Sequence, residues 1–179
     1  MNGKKATKTG NYTPPGLLYT FLLCLRLIFF SDKAFFELSH DKRLTYNLIT
    51  IFLLMLTIPV KVFTTEKIIL FNPGRFIENI LLSLIFISFL YLLLPKKETT
   101  FAGYLRVFLG FEAVDIFGGL TLLLSGKILD FYTAVLLGWY LSLAVYAVAK
   151  IAKLEYVVGF MLVFFAFLVT NFVPVFLGG

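Results

Sequence analysis

The sequence predicts an all-α polytopic membrane protein, a bundle of five transmembrane helices led by an N-terminal interfacial helix. Three observations carry that prediction. Of the 179 residues 60% are apolar, with 22 phenylalanines, and only 15% are charged, against roughly 25% in an ordinary soluble domain. The apolar residues fall in five runs of ~20 residues, the length a helix needs to cross a hydrocarbon core. The basic residues collect in the short gaps between runs, where anionic headgroups attract them. A soluble domain of this size could not hide so much apolar surface.

Residues 1–15, MNGKKATKTGNYTPP, read as a flexible basic cytoplasmic tail: polar, without apolar period, and ending in a Pro-Pro pair. Residues 16–43 read as an interfacial cytoplasmic segment. Its apolar part, GLLYTFLLCLRLIFF, would rise only about 22 Å as a helix, short of the roughly 30 Å core. Arg26 lies inside it, and Arg26 and Lys33 are expected to snorkel to headgroups. A signal-peptide reading fails because SDKAFFELSHDKR follows, with no small-residue cleavage site. Residues 44–179 form the five-span domain, with spans at about 44–63, 76–94, 101–124, 128–149 and 154–176. Pro59 is expected to kink or end the first, and Pro95-Lys96-Lys97 to stop the second.

Orientation follows from the basic residues. With the N-terminus inside and five crossings, only Lys61, Lys67, Arg75 and Lys127 of the 16 lysines and arginines fall on the far side. The C-terminal NFVPVFLGG, free of charge, then lies outside the cytoplasm. Making residues 16–30 a sixth span would put Lys42 and Arg43 outside and weaken the bias. The formal charge of +6 is therefore assigned to membrane lipids as partners and not to nucleic acid. The single cysteine, Cys24, forms no internal disulfide and reads as a small apolar residue of a membrane-facing helix.

FFSDKAFFELSHDKR, the five closely spaced spans after it, and the entry TTFAGYLRVFLGF to the third span together resemble the Yip family, the Ypt/Rab-interacting membrane proteins, in a small prokaryotic form. The resemblance covers residues 25 to 175. It implies a non-enzymatic multi-pass protein of a prokaryotic inner (plasma) membrane. GFEAVDIFGG stands where members of that family often carry a proline. The longer acidic and aromatic N-terminal region of the eukaryotic members is missing, so their GTPase binding is not carried over.

No catalytic, cofactor or metal motif is legible. The chain has one histidine and one cysteine, too few for a zinc or haem ligand set. No phosphate-binding loop, nucleophile elbow or paired-histidine metal motif occurs. His40 reads as a headgroup-level residue, and Trp139 and Tyr140 as packing residues. What calls for explanation is a pair of acids, Glu112 and Asp115, within the third span. On an α-helix they share a face with Gly119 one turn on, while Gly103, Gly110 and Gly118 form a separate helix-packing stripe. Both faces then need protein neighbours, which makes the third span central. The acids could be buried polar anchors, bonded to Asn47, Ser83, Ser88, Tyr140, Ser142, Tyr146, Thr170 or Asn171. They could line an ion or proton pathway. They could meet a basic residue in a span of another membrane protein. The expected role is a scaffold, organising factor or accessory subunit binding other integral membrane proteins or itself; the alternative is a proton or small-solute transporter using Glu112 and Asp115.

Overall fold

The computed structural model of the chain describes residues 15–61, 68–69, 73–95 and 98–177. Residues 1–14 of the basic tail, the end of the first run at Phe63, Lys67 and the Lys96-Lys97 stop lie outside them. The described residues are mostly helical: α1 (Leu17–Ile28), α2 (Asp32–His40), α3 (Thr45–Met55), α4 (Pro73–Leu93), α5 (Phe101–Phe111), α6 (Gly126–Ala152) and α7 (Tyr156–Leu177). A 3-10 turn, Lys42–Leu44, leads into α3, and a twelve-residue 3-10 segment, Glu112–Leu123, continues α5. Two residue pairs, β1 (Val60–Lys61) and β2 (Ile68–Ile69), form a short antiparallel ladder.

Among the described residues α6, 27 residues long, is the one helix long and apolar enough by composition to cross a membrane outright. It rises about 40 Å. The first apolar run differs from the expected 44–63 helix: α3 ends at Met55 after 11 residues, a rise of about 16 Å. Pro59 explains the early stop, since proline has no N–H and biases the residue before it away from the helical region. The chain tightens first, with Thr57 N–H donating to Leu54 O and Ile58 N–H to Met55 O, and is extended by Val60.

The N-terminal segment is a helical hairpin that belongs to the packed core. α1 buries Thr20, Leu23, Cys24, Leu27 and Ile28, the i, i+3, i+4 stripe of a helix seated on a neighbour. Phe30 turns the chain with φ 60, and the Ser31 hydroxyl then caps α2 by accepting from Ala34 N–H. α2 buries Ala34, Phe35, Leu38 and Ser39. α1 packs on α2, α3, α5 and the 3-10 segment, and α2 on α5. Cys24 is fully buried and sits against Gly110, so it faces protein and not lipid. Arg26 and Lys33 are exposed.

α5 is the most enclosed helix. Gly103 through Phe111 are buried apart from Leu105, and Tyr104, Phe108 and Phe111 make a chain of ring contacts at 4.7 and 5.1 Å. The outer helices differ. α4, α6 and α7 expose Leu81, Leu84, Ile85, Phe131, Val135, Phe160, Met161, Phe164 and Phe165, large apolar side chains left without cover on all three helices.

Candidate functional site

α5 and its 3-10 continuation carry the polar groups that organise the molecule. Gly103 and Gly110, seven apart on α5, face the hairpin. A Cβ on Gly103 would stand 2.5 Å from the Ser39 carbonyl oxygen, and one on Gly110 would stand 2.9 Å from Leu27 Cδ2 and 3.1 Å from Leu38 Cδ1. The approach of backbone to backbone at Gly103 needs glycine, whereas at Gly110 leucine side-chain ends would have to give way. Between them lies Arg106, only 4% exposed. Its Nε donates to Leu38 O at 2.9 Å and its Nη2 to Ser39 O at 2.6 Å. These carbonyls end α2 and have no partner within that helix. The guanidinium supplies both bonds and a positive charge at the negative end of the helix dipole.

Other bonds hold the rest of the hairpin. Trp139 Nε1 donates to Ile28 O at 2.9 Å at the end of α1, and the Trp139 ring stacks on Phe117 at 5.5 Å. Asn47 Nδ2 donates to Pro15 O at 2.8 Å and to Thr20 Oγ1 at 2.9 Å. The Tyr146 hydroxyl donates to Asp32 Oδ1 at 2.5 Å, and Lys150 Nζ lies 2.9 Å from the same oxygen. The Tyr146 bond first, then Lys150, holds the Asp32 carboxyl below its ordinary range.

At Glu112 the chain leaves α-helical geometry, and the expected face relationships change. In an ideal 3-10 helix residues three apart eclipse, so Glu112, Asp115, Gly118 and Thr121 fall in one row. This corrects the α-helical reading in two ways. Gly118 joins the acids' row and leaves the stripe of Gly103 and Gly110, and Gly119 is off the row. The axial step from Glu112 to Asp115 becomes about 6 Å in place of about 4.5 Å.

Glu112 is buried and accepts a hydrogen bond from the Tyr140 hydroxyl of α6 at 3.2 Å on Oε1. No described side chain donates to Oε2. Glu112 lines a cavity of about 240 Å³ with Leu82, Ser83 and Phe86 of α4, Leu137, Tyr140 and Leu141 of α6, and Phe167 and Thr170 of α7. Of the partners considered from depth, Tyr140 bonds the acid, while Ser83 and Thr170 line its cavity. Asp115 is half-buried, and among the described residues it makes no side-chain hydrogen bond. Gly118 gives room to β1, since a Cβ there would lie 3.1 Å from Val60 Cγ1. Thr121 closes the row. Its hydroxyl donates to Gly118 O at 2.6 Å and accepts from the backbone N–H of Lys61 at 2.9 Å. Lys61 Nζ donates to Leu124 O at 2.8 Å, at the end of the segment.

The bonds that Arg106, Trp139 and Lys61 make to the backbone of other segments are not legible from the sequence. Arg106 lies one turn inside an apolar run, and that position is the available signal. Among the described residues no group of three His, Cys, Asp or Glu side chains could share a metal ion. Comparison with protein-family models, curated proteins and solved structures finds no match for this chain.

Proposed function

We propose that the chain is a five-span integral membrane protein, N-terminus in the cytoplasm and C-terminus outside, that acts without catalysis as a scaffold, organising factor or accessory subunit for other membrane proteins. The observation that carries this reading is how the polar side chains are spent. Arg106, Trp139, Asn47 and Lys61 are bonded to the protein's own backbone, and Glu112 to Tyr140. Such groups fix helices against one another, while the large apolar surface outside is left for lipid or for partner helices. In this reading the short α3, with the loop that follows Pro59, makes the first crossing, and α4, α5 with its 3-10 continuation, α6 and α7 make the rest. The hairpin of α1 and α2 enters from the cytoplasmic side and packs along α5 and α6 as far as Gly110 and Trp139. The similarity of FFSDKAFFELSHDKR and TTFAGYLRVFLGF to the Yip family supports the same role.

The Glu112 cavity favours one second reading, proton or small-solute transport. Two experiments separate the two. A reporter enzyme active only outside the cytoplasm, fused after Gly179, should be active; activity of a cytoplasm-only reporter there overturns the topology. Purified protein in liposomes should pass no proton or cation flux. Reproducible flux abolished by Glu112→Gln, with unchanged thermal stability, would replace the scaffold reading by transport.

A further inference from the structure

A second cavity, separate from Glu112, lies where the hairpin meets α6 and α7. It holds about 550 Å³, and Asp32, Ser142, Tyr146 and Lys150 are among its polar lining. Phe30, Tyr156 and Phe160, all exposed, form its apolar rim. It shares Ser142, Val145 and Phe160 with a third cavity of about 290 Å³, which continues between α6 and α7 to Gly138 and Phe164. The two make one groove, charged at one end and apolar at the other. From Lys150 to Gly138 the groove follows α6 for about 18 Å, close to the roughly 15 Å half-thickness of a hydrocarbon core.

The charged end has unused capacity for both signs. The Tyr146 hydroxyl and the Lys150 amine both bond Asp32 Oδ1, leaving Oδ2 without a described partner. An ammonium has three donors, and Lys150 spends one on Asp32. The side chains keep 59% exposure at Asp32 and 33% at Lys150, so both remain reachable.

We infer that this groove binds one phospholipid with a zwitterionic, primary-amine headgroup: phosphate on Lys150, headgroup ammonium on Asp32 Oδ2, and an acyl chain in the apolar groove between α6 and α7. The inference rests on the membrane reading of the chain. Charge complementarity selects the headgroup. A quaternary ammonium has no N–H to donate to Oδ2. An anionic headgroup satisfies Lys150 but brings negative charge beside Asp32. The primary-amine zwitterion matches both ends without breaking the Asp32–Lys150 pair.

The test is native mass spectrometry of the full chain released from mild detergent, after incubation with ethanolamine, choline or glycerol phospholipids of identical acyl chains. The ethanolamine lipid should be retained about tenfold better than either other, the scale of one charge-assisted hydrogen bond. Asp32→Asn should erase the preference over the choline lipid. Because that change also disturbs Tyr146, Gly138→Leu provides an independent arm. A Cβ at Gly138 meets nothing within 4 Å, so the larger side chain fills the groove without strain, and retention of all three lipids should fall while their order stays. Equal retention of the three headgroups by the wild-type chain would overturn the inference, as would an Asp32→Asn variant that keeps the preference. Full displacement by soluble glycerophosphoethanolamine, with no contribution from Gly138→Leu, would overturn the lipid assignment. A protein that stays folded and monomeric in plain buffer would instead overturn the membrane reading beneath it.

Discussion

Replacing Arg106 by Met should release the N-terminal hairpin, and Cys24 will report the release. In the wild-type chain the guanidinium gives two hydrogen bonds to the carbonyls that end α2. A hydrogen bond to a charged group contributes about 1.5–3 kcal/mol. Against this stands the desolvation cost of a buried cation bonded only to carbonyls, which the substitution removes. The balance is a loss of about 3 kcal/mol, or roughly two orders of magnitude in the ratio of undocked to docked hairpin. Cys24 is the only cysteine and is fully buried against Gly110. Burial pushes its thiol up to about 12, so in the docked state it is both shielded and protonated. Undocking returns it to an ordinary thiol near pKa ~8.5. Maleimide labelling at pH 8 in mild detergent therefore follows the undocked population. Arg106→Met should label about 100-fold faster than wild type, and Arg106→Lys, which keeps the charge but not the two-pronged geometry, at an intermediate rate. Circular dichroism on the same samples should show the helix content retained. Wild-type labelling by Arg106→Met would refute the argument that this bond pair holds the hairpin.

Gly103→Ala should lower thermal stability by about 1–3 kcal/mol, the usual scale for overpacking, because its Cβ meets the backbone of α2 at 2.5 Å; a melt within error of wild type would contradict the close packing. Glu112→Leu leaves the Tyr140 hydroxyl unpaired at about 1–3 kcal/mol and should destabilise the detergent-solubilised protein clearly more than Glu112→Gln, which can still accept that bond. For pH, the sign follows from Asp32, whose folded pKa is depressed by Tyr146 and then Lys150: its contribution to hairpin docking is present above the unfolded value of about 3.9 and is lost as pH falls through the lower folded value. The fluorescence of Trp139, the single tryptophan, which is bonded to Ile28 at the end of α1, should therefore shift only below about pH 4, and Asp32→Asn should remove that shift.

How much was legible depended on what each residue bonds to. The apolar run behind α6 could be read from length and composition alone, because a helix long enough to cross announces itself without tertiary information. Pro59 marks the end of α3, but the helix stops four residues earlier, since the proline gives the Met55 carbonyl no N–H and the chain tightens over Leu56–Ile58. The hairpin was harder. GLLYTFLLCLRLIFF is apolar almost all round, with Arg26 its one charge, so the run alone does not say whether Cys24 meets lipid or protein. Charge counting misplaces Arg106, because it treats every basic residue near the end of an apolar run as solvated, whereas this one caps another helix. Trp139 looked like packing, and its ring does stack on Phe117, but its N–H reaches a carbonyl 111 positions away in sequence. The row of Glu112, Asp115, Gly118 and Thr121 was hidden by the period itself, for an assumption of 3.6 residues per turn scatters residues that a period of 3.0 aligns.

Twelve residues is long for a 3-10 helix, whose hydrogen-bond geometry is poorer than that of an α-helix, so local preference does not account for Glu112–Leu123 and tertiary contacts must hold it. The clamp at its far end is identifiable. Thr121 accepts from Lys61 N–H, and Lys61 Nζ donates to Leu124 O. Relaxation to an α-helix would shorten twelve residues by about 6 Å and carry Thr121, nine positions from Glu112, half a turn around the axis. Both Lys61 bonds would break, and Gly118 would leave Val60. Geometry and clamp therefore require each other. Thr121→Val keeps the shape but removes the hydroxyl and leaves the Lys61 N–H without its acceptor, at a cost of about 1–3 kcal/mol. Amide hydrogen exchange across residues 113–124 should then speed up by one to two orders of magnitude, with α6 unchanged as the internal control. Equal protection in Thr121→Val and wild type would mean that the 3-10 segment holds its form without the Lys61 clamp.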